Sequence, residues 1–383
     1  MIDYEKPILN KNGQPIRILM AAHHGCIRVM KIMRAMIKLG YQIDGLSNRV
    51  SYGCEDFDFL AVWQNERQFK NYIRDNIHKY DIIYWANEPD YQAKWIRDVI
   101  NSANKQDQVK LVVDLHDLDS IRRHIIPLPE REMFNSADGL IYVSKPIQKM
   151  SNELHKVTIP NTVLYSYCNK DIVNYDINEI SKRRGLIYEG GANPPNDDLA
   201  NREFAYRNLY EIMSKLVEMG NETHMFCGNI TAYHTYQNTG AILYPPTHYD
   251  KMMKELTKFK YGIVSFNNKD GQKDQVNFTL TNKFFEYAIA GVIPLACWCP
   301  ETEKLVNKWK VGFTFKDIEE IKDCKQLETK YEEIMSNIND FNKKVYMENF
   351  IWKLENLYAE VLGVEKKSIP DNIKNLDDFE MKE

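Results

Sequence analysis

Short apolar runs alternate with longer amphipathic stretches along this chain, and the alternation starts afresh near its middle. The first series predicts a strand from Ile16 to Ala21, a turn at His23-His24-Gly25, a helix from about Arg28 to Leu39 closed by Gly40, and a strand from Ile43 to Leu46. Further strands are predicted at Asp81 to Trp85, Val109 to Leu115 and Gly139 to Val143, with helices at Asn65 to Ile77 and Tyr91 to Ser102 between them. The second series restarts with a strand at Gly185 to Tyr188 and continues with a helix from Arg207 to Met219, strands at Thr223 to Cys227 and Ala241 to Tyr244, a helix from Tyr249 to Phe259 and a strand at Tyr261 to Ser265. Strands spaced in this way by helices bury both faces as a parallel, doubly wound α/β sheet. Two series therefore predict two Rossmann-like sheets.

A length of 383 residues agrees, being more than one typical core and enough for two domains of about 150 to 200 residues each. The expected division is 1–170 and 171–345, with the hinge inside 166–184, where Tyr167, Asn169, Lys170, Asn174 and Ser181-Lys182-Arg183-Arg184 interrupt the apolar pattern. Within 346–363, Phe350, Ile351, Leu354, Leu357, Tyr358 and Leu362 share one face of a helix, and 364–383 is charged and aperiodic, as in a loose tail. A net charge of −4 and a pI near 6.2 argue against a chain built to coat nucleic acid. With no run of 18 apolar residues and no apolar core behind Met-Ile-Asp-Tyr-Glu-Lys, the expectation is a cytoplasmic protein. Seven scattered cysteines fit neither a disulfide framework nor a zinc ribbon, and the one close pair, Cys297-Trp298-Cys299, reads as buried thiols.

The most informative stretch is Thr279 to Leu295. Thr279 or Thr281 can cap a short amphipathic helix that Gly291 ends. The helix N-terminus near Asn282 and Lys283 is a natural seat for a phosphate, and Lys283 adds a full charge. One turn further on, Glu286 offers two acceptor oxygens that suit the vicinal diol of a ribose. Together these groups form a clamp for a nucleoside diphosphate.

Asn-Lys-Phe-Phe-Glu-Tyr-Ala-Ile-Ala-Gly-Val-Ile-Pro also resembles the donor-binding helix of GT-B glycosyltransferases, especially family 4. As a motif the resemblance covers only residues 281 to 294, although the β/α pattern agrees over most of 16 to 362. It implies two Rossmann-like domains facing across a cleft, a last helix crossing back to the first domain, and transfer of sugar from a nucleotide-diphosphate donor such as a UDP- or GDP-sugar. The implied partners are that nucleotide sugar and a glycan, lipid-linked or other acceptor, without an obligatory cofactor or metal.

In the first domain, Gly25 lies at a strand-to-helix turn where a backbone can approach a ligand, with His23 and His24 beside it. The strand Leu111 to Leu115 runs into His116-Asp117-Leu118-Asp119, at the carboxyl end where such sheets place ligands. His116 resembles the family's histidine at the donor sugar or acceptor and is the candidate catalytic residue, suited to proton transfer or hydrogen bonding. Asp117-Leu118-Asp119 spells the metal motif of the GT-A class, an alternative with the opposite metal requirement.

In the second domain, Gly190 and Gly191 follow a strand, as a backbone passing close to a diphosphate requires. Arg202 and Arg207 are the available cations, and Arg207, at the start of a helix, resembles the family's diphosphate-neutralising residue. Tyr244-Pro245-Pro246-Thr247-His248 resembles in position the loop that holds the donor base, with stacking on Tyr244 or His248. One departure stands out: where family 4 enzymes carry a first glutamate eight positions before the second, this chain has Phe278, with Asp270 and Asp274 nearby. Arg28, Lys31, Arg34 and Lys38 form a basic stripe within about 120° on their helix. It is either a solvated face or a contact for an anionic bilayer. The alternatives to transfer are a non-catalytic GT-B scaffold binding nucleotide or glycan, a nucleotide-sugar epimerase, and a transferase acting on DNA bases, against which the acidic pI weighs.

Overall fold

Each of the two predicted series folds into its own all-parallel sheet. The structure is a computed structural model that describes residues 4–51, 53–86, 88–175, 182–195, 205–322 and 324–377. The chain divides into one unit of Met1–Asn169 with Met347–Glu383 and another of Lys170–Tyr346.

The first unit contains β1 (Arg17–Ala22), β2 (Gln42–Ser47), β3 (Phe59–Val62), β4 (Ile82–Ala86), β5 (Lys110–Leu115), β6 (Gly139–Tyr142) and β7 (Asn161–Val163). Their order across the sheet is β3-β2-β1-β4-β5-β6-β7. The second contains β8 (Arg184–Gly190), β9 (Thr223–Cys227), β10 (Ile242–Tyr244), β11 (Phe259–Ser265), β12 (Ile293–Cys297) and β13 (Phe313–Phe315), in the order β10-β9-β8-β11-β12-β13. In each sheet the strand order reverses once, between β1 and β4 and between β8 and β11. Chains leaving neighbouring strands in opposite directions open a crevice there, at the carboxyl ends, where doubly wound folds bind ligands.

Local sequence sets many of the helices. Asn65, Ser144 and Asn229 each accept a hydrogen bond from the backbone N–H three residues on and start the helices Glu66–Asn76, Lys145–His155 and Ile230–Thr235. The central strands β4 and β12 are buried throughout, as strands covered on both faces must be. Helix Trp352–Leu362 belongs to the first unit, packing so closely that a Cβ on Gly139 would lie 3.0 Å from Val361 Cγ1.

Several expectations are corrected. β3, β7 and β13, with three or four residues each, are too short to display a period and were not predicted. The helix expected to begin at Arg207 begins at Tyr210, and Arg207 ends a short 3-10 turn, Ala205–Arg207. The chain passes from one unit to the other at Asn169–Lys170, within the expected hinge, and the residues just before that point are packed: Tyr167 stacks on Phe350 at 4.2 Å, and Asn169 donates to the Lys31 carbonyl at 2.9 Å. Residues 176–181, including Ser181, lie outside the described residues, as does Arg202. The charged tail is not loose throughout, because Lys367 is buried and pairs with buried Glu355 at 2.6 Å before the helix Asp371–Asp377. Among the described residues no helix is long and apolar enough to cross a membrane.

Candidate functional site

The second unit gathers its candidate residues at its strand-order reversal. β8 ends on Gly190, whose φ of +118° favours glycine, and a Cβ there would sit 3.1 Å from Lys283 Cε. Gly191 faces Arg207 similarly, at 3.2 Å from Nη1. Gly228, after β9, completes the crowding: its Cβ would lie 3.1 Å from the Gly190 carbonyl oxygen. Arg207 is held there by its own backbone, since Asn193 N–H donates to its carbonyl at 2.9 Å and Asn267 N–H donates to the Tyr206 carbonyl at 2.8 Å.

The helix Asn282–Ile289 brings the second cation. Tyr287 fixes this helix to the sheet: its hydroxyl accepts from the Glu189 N–H at 3.0 Å and donates to the Ile187 carbonyl at 3.2 Å, on β8. A Cβ on Gly262 of β11 would fall 2.4 Å from the Tyr287 ring, so only glycine admits it. Lys283 is 9% exposed and lies between two aromatic faces, 5.0 Å from the Tyr188 centroid and 4.9 Å from that of Phe266. Among the described residues it makes no salt bridge. Burial pushes its pKa down, the charges of Glu189 and Glu286 push it up, and Arg207 pushes it down again. Lys283 is thus a buried side chain with aromatic faces against it and the charges of Glu189, Glu286 and Arg207 around it.

Thr281 occupies the N-cap position of this helix, yet its hydroxyl makes no capping bond and, though buried, has no hydrogen-bond partner among the described residues. The expected cap is thus absent, and first-turn N–H groups are left to another acceptor. Asn282 is half-buried and Glu286 is fully buried one turn on. Tyr244 ends β10 on the same edge, but Phe226 lies opposite it in the strand register and stacks on it at 4.6 Å, while His224 Nδ1 lies 3.1 Å from its hydroxyl. One ring face expected for base stacking is therefore already covered.

The first unit assembles a polar cluster that the sequence only half disclosed. Asp114 on β5 is fully buried, and Arg28 grips it with two hydrogen bonds of 2.8 and 2.9 Å. Tyr84 on β4 donates to the same carboxylate, and His116 Nε2 lies 2.9 Å from it. Burial alone would lower the His116 pKa, but the Asp114 charge and hydrogen bond overcome it and raise it to about 10. This pairing favours the charged, donating form of His116, one of the two roles expected of it. The signal that went unused was the aspartate inside the apolar run Leu111-Val112-Val113-Asp114-Leu115, since a charge in a buried strand demands partners.

The basic stripe is corrected as well. Arg28 and Lys31 are buried, Lys31 Nζ donating to the Ser166 carbonyl at 3.3 Å, and Arg34 pairs with Asp56 at 2.7 Å. Lys38, the fourth member, is exposed and pairs with Glu348 at 2.7 Å, so only the Arg28 and Lys31 end of the stripe is buried. Gly25 has no positive φ, and its carbonyl accepts from the Ser51 hydroxyl at 3.2 Å. Asp119 of the Asp-x-Asp sequence is taken up by Arg122 at 2.7 Å and Arg123 at 3.4 Å. Among the described residues no group of three or more His, Cys, Asp or Glu side chains could hold a metal ion. Asp270 caps a turn by accepting from Gln272 N–H at 3.1 Å and is exposed. Cys297 and Cys299 are buried, and burial raises both thiols.

No protein-family model and no curated protein matches the chain. Solved structures do. HepE of Anabaena, solved with UDP and glucose, aligns with a TM-score of 0.67 over 91% of this chain and 99% of that one, at 14% identity. Sucrose-phosphate synthase of Thermosynechococcus elongatus aligns at 0.62 over 91% and 99%, with 9% identity. WaaG, a glycosyltransferase involved in lipopolysaccharide biosynthesis, aligns at 0.59 over 89% and 99%, with 10% identity. Two Rossmann-like domains with parallel sheets of seven and six strands, together with this likeness, define the fold as GT-B.

Proposed function

We propose that the protein is a GT-B glycosyltransferase that takes its sugar from a nucleoside diphosphate sugar. The observation that carries this reading is the buried Lys283 side chain, without a salt bridge among the described residues, set against the Gly190-Gly191 backbone with Arg207 beside it. In this reading the diphosphate lies on that backbone and the uncapped N-terminus at Thr281 and Asn282, and Glu286 accepts from the ribose hydroxyls. Lys283 and Arg207 stabilise the charge that develops on the leaving diphosphate, which is the main catalytic contribution such a site can supply. His116 contributes a fixed positive donor to the sugar or acceptor. HepE has been solved with UDP-glucose, which favours a UDP-sugar as donor.

A thermal-shift series with UDP, GDP and their sugars, followed by release of free nucleotide from the sugar that binds, tests the reading. A ligand at a hundred times its Kd adds about 2.7 kcal/mol of stability. Stabilisation followed by slow donor hydrolysis is expected. Binding without any release, with or without glycan acceptors, supports instead a scaffold that does not turn over, for which Phe278 at the first-glutamate position is the motive.

A further inference from the structure

His23, Asn48 and Trp63 are the residues that immediately follow β1, β2 and β3, three strands adjacent in the first sheet, and Gln92 stands in the first turn of the helix Tyr91–Ser102 that follows β4. All three partners meet at the His23 ring. Asn48 Nδ2 lies 2.9 Å from its Nε2, Gln92 Nε2 lies 3.5 Å from its Nδ1, and the Trp63 ring meets it edge-on with the centroids 5.6 Å apart. The group therefore sits at the carboxyl ends of the strands, beside the reversal of strand order between β1 and β4, where doubly wound sheets take ligands. Each of the three partners leaves a buried polar atom, Asn48 Oδ1, Trp63 Nε1 and Gln92 Oε1, with no hydrogen-bond partner among the described residues. Trp63 is 5% exposed and Gln92 is 1% exposed. Buried polar atoms are nearly always paired, so three unpaired ones around a single ring point to a ligand. A neutral imidazole has one N–H and one lone pair, so turning either amide over moves the unpaired atom from oxygen to nitrogen without removing it.

We propose that His23, Asn48, Trp63 and Gln92 bind an uncharged saccharide through its hydroxyl groups, and that this saccharide is the acceptor. A sugar hydroxyl both donates and accepts, which suits two amides and an indole N–H set around one ring. None of the four side chains brings a fixed charge, whereas a phosphate-bearing acceptor calls for cations in contact with it. Burial and the charge of Arg49 both lower the His23 pKa and so favour its neutral ring, and Arg49 itself is exposed. Calling the saccharide an acceptor rests on the transferase function proposed above. Its binding does not.

The test uses the full chain without a sugar donor. Isotope-labelled tryptophan gives one indole N–H signal for each of the six tryptophans, and Trp63→Phe identifies the Trp63 signal by its loss. The probes are the methyl glycosides of glucose, galactose, mannose and N-acetylglucosamine, set against the glycosyl phosphates of the same sugars. At least one methyl glycoside should move the Trp63 signal saturably and bind at least as tightly as its phosphate. Gln92→Met keeps the side-chain length and removes the unpaired oxygen, so its Tm should hold or rise while saccharide binding weakens about tenfold or more. Should that variant not fold, Trp63→Phe, titrated by calorimetry, carries the same expectation for binding. A Trp63 signal that no methyl glycoside moves, as when water alone satisfies these atoms, would overturn the proposal, and so would tighter binding of the phosphates or affinity unchanged in the variants. UDP and GDP are titrated into the same samples. Nucleotide binding beside a silent Trp63 signal removes the saccharide site and leaves the transferase reading standing.

Discussion

Asp114 organises the first unit's polar cluster at the scale of single residues. It is a fully buried carboxylate, and Arg28, Tyr84 and His116 all turn their donors toward it. An unpaired charge there would be prohibitively costly, so removing one partner is felt by the rest. The Asp114 charge and hydrogen bond raise the His116 pKa to about 10 against an ordinary value near 6.5. Because the folded value is the higher one, the pairing stabilises fully below about pH 6.5 and fades as pH rises through about 10. Histidine NMR should therefore show His116 titrating near pH 10, and the stability advantage of the wild type over His116→Gln should shrink between pH 6 and 10. A midpoint at or below the ordinary value would restore His116 as a base. Lys283 presents the complementary case, a buried cationic side chain set between two aromatic faces.

At the scale of elements, the helix Asn282–Ile289 is short, and its two ends differ in kind. Its C-terminus is closed by Gly291 at φ +66°, with Gly291 N–H donating to the Ala288 carbonyl and Val292 N–H to the Tyr287 carbonyl. Arg183 donates to the Gly291 carbonyl, and the Tyr175 ring lies 2.6 Å from where a Cβ would project. Gly291→Ala should therefore destabilise the protein by about 1 to 3 kcal/mol, read as a lowered Tm or denaturant midpoint, through left-handed strain and the collision with Tyr175. Unchanged stability would show that the turn relaxes freely. Gly291 as terminator was legible because the Ala-Gly-x-x-Pro sequence ends an apolar helix face. The state of Thr281 was not, because a threonine at an N-cap announces a cap and only the structure shows its hydroxyl unengaged. Arg207 was found for its charge but misplaced by one turn, since a 3-10 turn and a first helical turn share composition. Arg28 and Lys31 look like a surface stripe in sequence; the buried Asp114 and the Ser166 carbonyl that receive them are more than 80 and 130 residues away.

For the whole molecule, the long central strands and the helices after β1 and β8 carried the GT-B expectation, because a parallel, two-sided sheet prints its burial as unbroken apolar runs. The short edge strands carried no such print. In each sheet the single reversal of strand order sets a ligand crevice at the carboxyl ends, and in the second unit Gly190, Gly191, Arg207 and Lys283 converge there. If protein cations and a helix N-terminus neutralise the diphosphate, transfer or donor hydrolysis should persist in excess EDTA; complete loss reversed by magnesium or manganese would mean that a divalent ion does this instead. The most direct measurement is isothermal titration of the full chain with UDP and GDP, repeated on folded Lys283→Ala and Glu286→Ala. Saturable one-to-one binding of at least one nucleotide is expected, weakened about tenfold or more in each variant, as loss of a charged hydrogen bond worth about 1.5 to 3 kcal/mol requires. Absence of binding by either nucleotide, or affinities unchanged in both variants, would contradict it.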